Sequence, residues 1–173
     1  MTHTFKSKLE NFYDSNLWSF YIAVPDKVTK KLVEGKDRRV VCELNEKIKI
    51  QVALMPSSLG FHFINLNKTV RTKLKLNLGD EVSVSLTKDT SEYGIATPTF
   101  FAELCYQDPE GSEVFHQLTI GKQRTLLHYM GVVKSEQKQV ERALIILDYL
   151  KSVNGKLDFK ELMEAFKSSR FKS

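Results

Sequence analysis

Three clusters in the sequence carry side chains able to do chemistry. The first is Asn67, Lys68 and Arg71, with Lys73 and Lys75 close behind. A cationic helix holding an arginine offers a planar fork of donors to a phosphate or carboxylate. The competing reading is a solvated helix face with Asn67 as its N-cap. The second cluster is Gly121-Lys122-Gln123-Arg124. Backbone donors at a helix start plus two cations make an anion site, although surface or bracing cations explain the same residues. The full phosphate-loop pattern is absent, so nucleotide hydrolysis is not supported. The third is His62, which alternation sets on the face opposite Phe61 and Phe63. It reads as an acid-base group in a pocket or as a satisfied structural histidine.

Other chemistry is poorly supported. His116 and His128 stand twelve residues apart without a matching Cys or carboxylate pattern, so no metal is expected. The run Asn154 to Glu161 imitates the second half of a calcium loop, but Leu150 and Ser152 occupy positions where a hard cation needs carboxylate or carbonyl oxygen. No Ser-His-Asp order, catalytic carboxylate pair or nucleophile elbow is present. An enzymatic reading would need His62 beside Asp80 or Asp89 within a pocket. No cofactor is expected.

The elements that must position these groups follow from periodicity. In the stretch Gly60 to Asp89, a β-prone run (Phe61 to Leu66) precedes a short helix (Lys68 to Leu76), a turn at Leu78-Gly79-Asp80-Glu81, and a strand alternating Val82, Val84 and Leu86 with Ser83, Ser85 and Thr87. Upstream, strands are expected at Phe5 to Tyr13 and Leu17 to Val24, with a turn at Asp14-Ser15-Asn16 between them. Pro25-Asp26 opens a short helix that Gly35 ends. Arg38 to Leu44 and the period-2 run Ile48, Ile50, Val52, Leu54 form a hairpin about Asn45-Glu46. Met55 to Ser58 reads as a loop. Six strands with two short helices can curl into a barrel that removes exposed edges.

After Asp89 the period changes. Phe100, Phe101, Leu104 and Cys105 have helical spacing, Asp108 to Gly111 reads as a turn, and helices are expected over Thr119 to Val132 and Ser135 to Val153. Asp158 caps a last helix through Phe166, and the basic tail from Lys167 frays. The expected fold class is therefore α+β: a closed or nearly closed six-stranded β-barrel over residues 1–90, and a helical segment over 91–173 packed on it or tethered to it.

Composition bounds the function. The 173 residues are 42% hydrophobic and 27% charged, which suits a globular chain. A formal charge of +5 permits an anionic partner without demanding one. A DNA-binding helix-turn-helix over Thr119 to Val153 is an alternative, but Glu136, Glu141 and Asp148 sit among the cations of its second helix. No run reaches the length of a membrane span, and the polar Met1 to Asn11 has no signal-peptide core, so a cytoplasmic location is expected. Cys42 and Cys105 read as free buried thiols.

Several of these residues together resemble a family. Trp18-x-Phe20-x-x-x-Val24-Pro25, Arg39-Val40, Asn67-Lys68-x-x-Arg71 and Leu78-Gly79-Asp80-x-Val82-x-Val84-x-Leu86-x-x-Asp89, in that order, resemble a bacterial domain of unknown function that forms a small β-barrel. Phe115 through Leu150, with Leu118, Gly121 to Arg124, Tyr129, Lys134 and Arg142, resembles the helical YdeI/OmpD-associated segment that follows such barrels. The two resemblances span nearly the whole chain. Lys138-Gln139 stands where that segment carries a Thr-Arg pair. The resemblance implies a link to bacteriocin protection or porin expression, which is a phenotype and not a chemistry. The residues themselves point to a non-enzymatic binding or interaction module for a small anionic ligand or a protein partner. Arg71 and Arg124 are the principal cations, with His62, Asn67, Lys68 and Lys122 beside them.

Overall fold

A computed structural model describes residues 1–12 and 20–169 of the chain. The expected turn at Asp14 to Asn16, the first residues of the expected strand from Leu17, Tyr13 and the last four residues lie outside the described residues. The chain forms two compact units, Met1–Gly94 and Ile95–Ser173.

The first unit is one antiparallel sheet with two helices. Its elements are β1 (His3–Asn11), β2 (Phe20–Val24), α1 (Asp26–Leu32), β3 (Arg39–Leu44), β4 (Ile48–Ala53), β5 (Met55–Pro56), β6 (His62–Asn65), α2 (Lys68–Leu74) and β7 (Glu81–Lys88). The strand order is β4-β3-β7-β1-β2-β6-β5. Seven strands are thus seen among the described residues where six were expected. The additional one is Met55–Pro56, which pairs with Phe63 and His62. The sheet curls into a half-barrel and does not close: β4 and β5 lie at its two ends. The physical reason sits at β5, which is two residues long and ends in a proline with no N–H to donate.

Alternation decides which face is covered. Register sets Phe5 opposite Val84 and Val84 opposite Leu44, while Leu86 lies between His3 and Cys42. Val40, Cys42, Leu44, Val82, Val84 and Leu86 are buried with Ile22, Val24, Ile64 and Leu66, and α1 and α2 add Leu32 and Val70 to the same core. Burial pushes the Cys42 thiol up to about 12, so it packs as a small hydrophobe and is not a nucleophile. The β3–β4 turn is closed by the Lys47 N–H to the Leu44 carbonyl at 3.0 Å. Asn45 and Glu46 both have positive φ there, 50° and 54°, as a type I′ turn requires.

β1 is shared between two ladders. His3 to Lys8 pair with β7, and Leu9 to Asn11 pair with β2. The corner before β7 is held by Gly79 at φ 88°, by its N–H to the Leu9 carbonyl at 2.8 Å, and by Asp80, which accepts from the Asn77 N–H at 2.7 Å.

The second unit holds α3 (Phe101–Gln107), α4 (Pro109–His116), α5 (Ile120–Gly131), α6 (Glu136–Ser152) and α7 (Phe159–Ser168). Its interior contains Phe101, Phe115, Leu126, Leu127, Met130, Ala143, Ile146, Leu147, Leu150 and Leu162. The turn expected at Asp108 to Gly111 is instead the start of α4. Asp108 is the N-cap, accepting from the Gly111 N–H at 2.9 Å, and Pro109 takes the first turn, where its missing donor costs nothing. Lys151 of α6 pairs with Asp108 at 2.8 Å and ties α4 to α6. Burial alone would raise the Asp108 carboxyl, but the Lys151 and Gly111 bonds outweigh it and hold it below the usual range.

Candidate functional site

The α2 cluster is built from its cap upward. Asn67 accepts from the Val70 N–H at 2.9 Å, so its side chain starts the helix and is spent there. One turn on, Arg71 is half-buried and held twice. Its Nε donates to the Leu66 carbonyl at 3.2 Å, and its guanidinium lies 3.7 Å from the centre of the Phe20 ring. The Leu66 N–H bonds the Phe20 carbonyl at 2.9 Å, which brings a ring from β2 beneath an arginine from α2. Two of the sequence segments that carried the family resemblance therefore meet in this contact. A stacked, half-buried guanidinium keeps its orientation, and no described residue engages its terminal nitrogens.

Arg71 lines a shallow depression of about 390 Å³ with Lys68, Thr72, Lys75, Leu76 and Asn77. No carboxylate is in that lining. Lys75 is the C-cap of α2, with left-handed φ 54° and ψ 41°, and its N–H returns to the Arg71 and Thr72 carbonyls. Asn67, Lys68 and Arg71 were legible in the sequence. Phe20, Leu76 and Asn77 were not, since nothing in the sequence pairs Phe20 with Leu66.

His62 is not part of this depression. It sits in β6 opposite Val24 and Pro56, half-buried, on the side of the strand away from Phe63. The two carboxylates that a catalytic reading would pair with it flank opposite ends of β7. Asp80 holds the Asn77 N–H. Asp89 accepts from the Ser91 hydroxyl at 2.6 Å, the Ser91 N–H at 3.0 Å and the Gln51 amide at 3.1 Å. Burial pushes Asp89 up, but those hydrogen bonds and the Arg39 charge outweigh it and lower its pKa. Arg39 also donates to the Gly94 carbonyl. Asp89 and Arg39 thus shape the loop that leaves β7.

Lys122 and Arg124 belong to the second unit, on α5. Lys122 is exposed; Arg124 is half-buried and engaged by the rest of the protein. Between them, Gln123 is buried and clamps the α4–α5 connection through the His116 and Leu118 carbonyls at 3.1 and 2.8 Å. Arg142 donates to the Tyr129 carbonyl at 3.0 Å and lies 4.6 Å from the centre of its ring, while the Tyr129 hydroxyl reaches the Met163 sulfur at 3.5 Å. Three of the resembling positions, Gln123, Tyr129 and Arg142, are therefore packing residues.

The imitation of a calcium loop is accounted for by capping. Asp158 accepts from the Lys160 and Glu161 N–H groups at 2.8 and 3.1 Å, and Glu161 takes the Tyr149 hydroxyl at 3.1 Å. Among the described residues no three His, Cys, Asp or Glu side chains gather as a metal would need. No helix among them is long and apolar enough to cross a membrane.

Residues 5–86 match the family model for a domain of unknown function, DUF1905. The match runs from β1 into β7 and includes all of α2. The N-terminal part of the chain is therefore a DUF1905 domain, a small β-rich domain, and helices follow it. No curated protein matches the chain.

Proposed function

We propose that the N-terminal DUF1905 domain is a non-enzymatic binding module that takes a small anionic group, a carboxylate or phosphate, on Arg71 in the α2 depression. The observation that carries this reading is the double restraint on Arg71, by the Phe20 ring and the Leu66 carbonyl. A guanidinium fixed before the ligand arrives loses less side-chain freedom on binding, and its fork matches two acceptor oxygens. Lys68 and Lys75 add positive charge without filling the space. The depression is open, so a lone inorganic phosphate would bind at about millimolar Kd, near −4 kcal/mol.

The reading extends to the rest of the chain. The second unit is proposed to be a YdeI/OmpD-associated-like segment, supported by Leu118, Gly121 to Arg124, Tyr129, Lys134 and Arg142. Lys122 and Arg124 would supply its cations, and the protein would act in the cytoplasm of a bacterium in a protective response.

The test is a heteronuclear NMR titration of the full chain with inorganic phosphate and with succinate. Shifts should centre on Arg71, Lys68 and Lys75. Arg71→Ala should abolish them while the rest of the spectrum stays folded, and Arg124→Ala should leave the α2 shifts in place. Unchanged phosphate affinity in Arg71→Ala would remove the proposal.

A further inference from the structure

A second interaction surface lies at one end of the sheet order, on β4. Hydrogen-bond parity identifies it. The Leu54 N–H bonds the Arg38 carbonyl at 2.8 Å, and the ladder continues as Val40↔Val52, Cys42↔Ile50 and Leu44↔Ile48. On the other side of β3, the Asn45 N–H bonds the Ser83 carbonyl and the Asp89 N–H bonds the Arg39 carbonyl, so odd-numbered residues of β3 face β7. Even-numbered residues of β4 are therefore turned toward β3. The N–H and C=O groups of Lys49, Gln51 and Ala53 point away from the sheet, and among the described residues no strand follows β4 in the sheet order. Adjacent unpaired residues of this kind are a template for strand addition.

The side chains specify what would add. Ile48, Ile50 and Val52 lie on the core face and are each only half-buried. Lys47 and Lys49 are exposed on the opposite face, where Lys49 meets Glu43 at 3.5 Å with its side chain 68% exposed. The opposite end of the sheet is unsuited to the same role, being two residues long with a proline. We infer that the outer edge of β4 docks an extended segment of a partner protein in which apolar and acidic residues alternate. The apolar positions continue the row of Ile48, Ile50 and Val52, and the acidic ones meet Lys47 and Lys49. A second copy of this chain fits less well, because it would bring the same lysines to the same edge of a chain already carrying +5.

The probe is a fluorescent, end-blocked hexapeptide alternating Val and Glu, titrated against the full chain by anisotropy at low salt. A peptide of the same composition with the three Val and three Glu in separate blocks is the control. The alternating peptide should bind and the blocked one should not. Lys49→Pro deletes an outward N–H and no ladder bond, so it should abolish binding with the circular dichroism spectrum unchanged. Lys49→Ala should weaken binding about fivefold and reduce its salt dependence. Should Lys49→Pro misfold, N-methylation of the peptide on its sheet-facing amides makes the same test from the other side and should prevent binding. Failure of the alternating peptide to bind, or equal binding by the blocked or N-methylated peptide, would overturn the inference. So would a concentration-dependent dimer of the wild type that Lys49→Pro dissolves, since that would assign the edge to a second copy.

Discussion

Asn45 and Glu46 share a turn and nearly the same φ, yet replacing each by glycine should move stability in opposite directions. Glu46 is exposed and has no bond that depends on its side chain among the described residues. A left-handed conformation costs a residue with a Cβ roughly 1–2 kcal/mol. Glycine relieves that cost but gives up about 0.4–1 kcal/mol by widening the unfolded ensemble. Glu46→Gly should therefore stabilise the first unit by about 0.5–1 kcal/mol, a rise in Tm of about 3–6 °C for a domain of this size. Asn45 differs because its Oδ1 accepts from the Ser83 N–H at 2.8 Å, and asparagine tolerates positive φ. Asn45→Gly gives up that bond and should destabilise by about 1 kcal/mol. Glu46→Ala keeps the strain and should stay within about 0.5 kcal/mol of the wild type. Thermal unfolding followed by the backbone amide NMR signals of β3, β4 and β7 reads the first unit. If Glu46→Gly were no more stable than Glu46→Ala, strain at this turn would not be what limits it; if both glycine variants gained, the Asn45–Ser83 bond would not be what sets the two positions apart.

Three further outcomes follow from contacts described above. A Cβ on Gly111 would lie 2.4 Å from Asp108 Oδ2 and 3.1 Å from the Leu147 Cβ, so Gly111→Ala should break the cap and the Lys151 pair, costing about 2–3 kcal/mol in a urea titration followed by helical circular dichroism. The depressed Asp108 pKa means that its stabilising contribution is present above the unfolded value, about 4, and is lost as pH falls through the lower folded value; Asp108→Asn should flatten that part of the acid limb for the second unit. Phe20→Leu removes the ring under Arg71 while leaving every charge in place, so phosphate affinity at α2 should fall several-fold in the same NMR titration.

Local rules made much of the fold legible. The alternation of β3, β4 and β7 survives intact because each has one face in the core. Asn67, Ser135 and Asp158 act as the caps their residue types suggest, with Ser135 accepting from the Lys138 N–H at 3.5 Å. The failures are equally physical. Two residues at Met55–Pro56 are too few to show a period, and proline reads as a stop. Asp108-Pro109-Glu110-Gly111 satisfies both a turn and a capped helix start; the ion pair with Lys151, more than forty residues on, favours the second. Closure of the sheet depends on pairing between its two ends, which no local pattern encodes. At the candidate site the cations were visible, but the ring that orients Arg71 comes from another strand. Arg124, matched with Arg71 by charge, belongs to the other unit.

The division of β1 between two partners bears on how the domain is made. Its first six residues wait for a strand about 80 residues later in the chain, while its last three are served by a near neighbour. During synthesis the β3–β4 hairpin can form at once, but the seam joining the two halves of the sheet cannot zip until β7 has left the ribosome. Until then the nascent chain exposes the Val and Leu faces of unjoined strands, which makes late folding the moment when this domain is most open to misassociation and to chaperones.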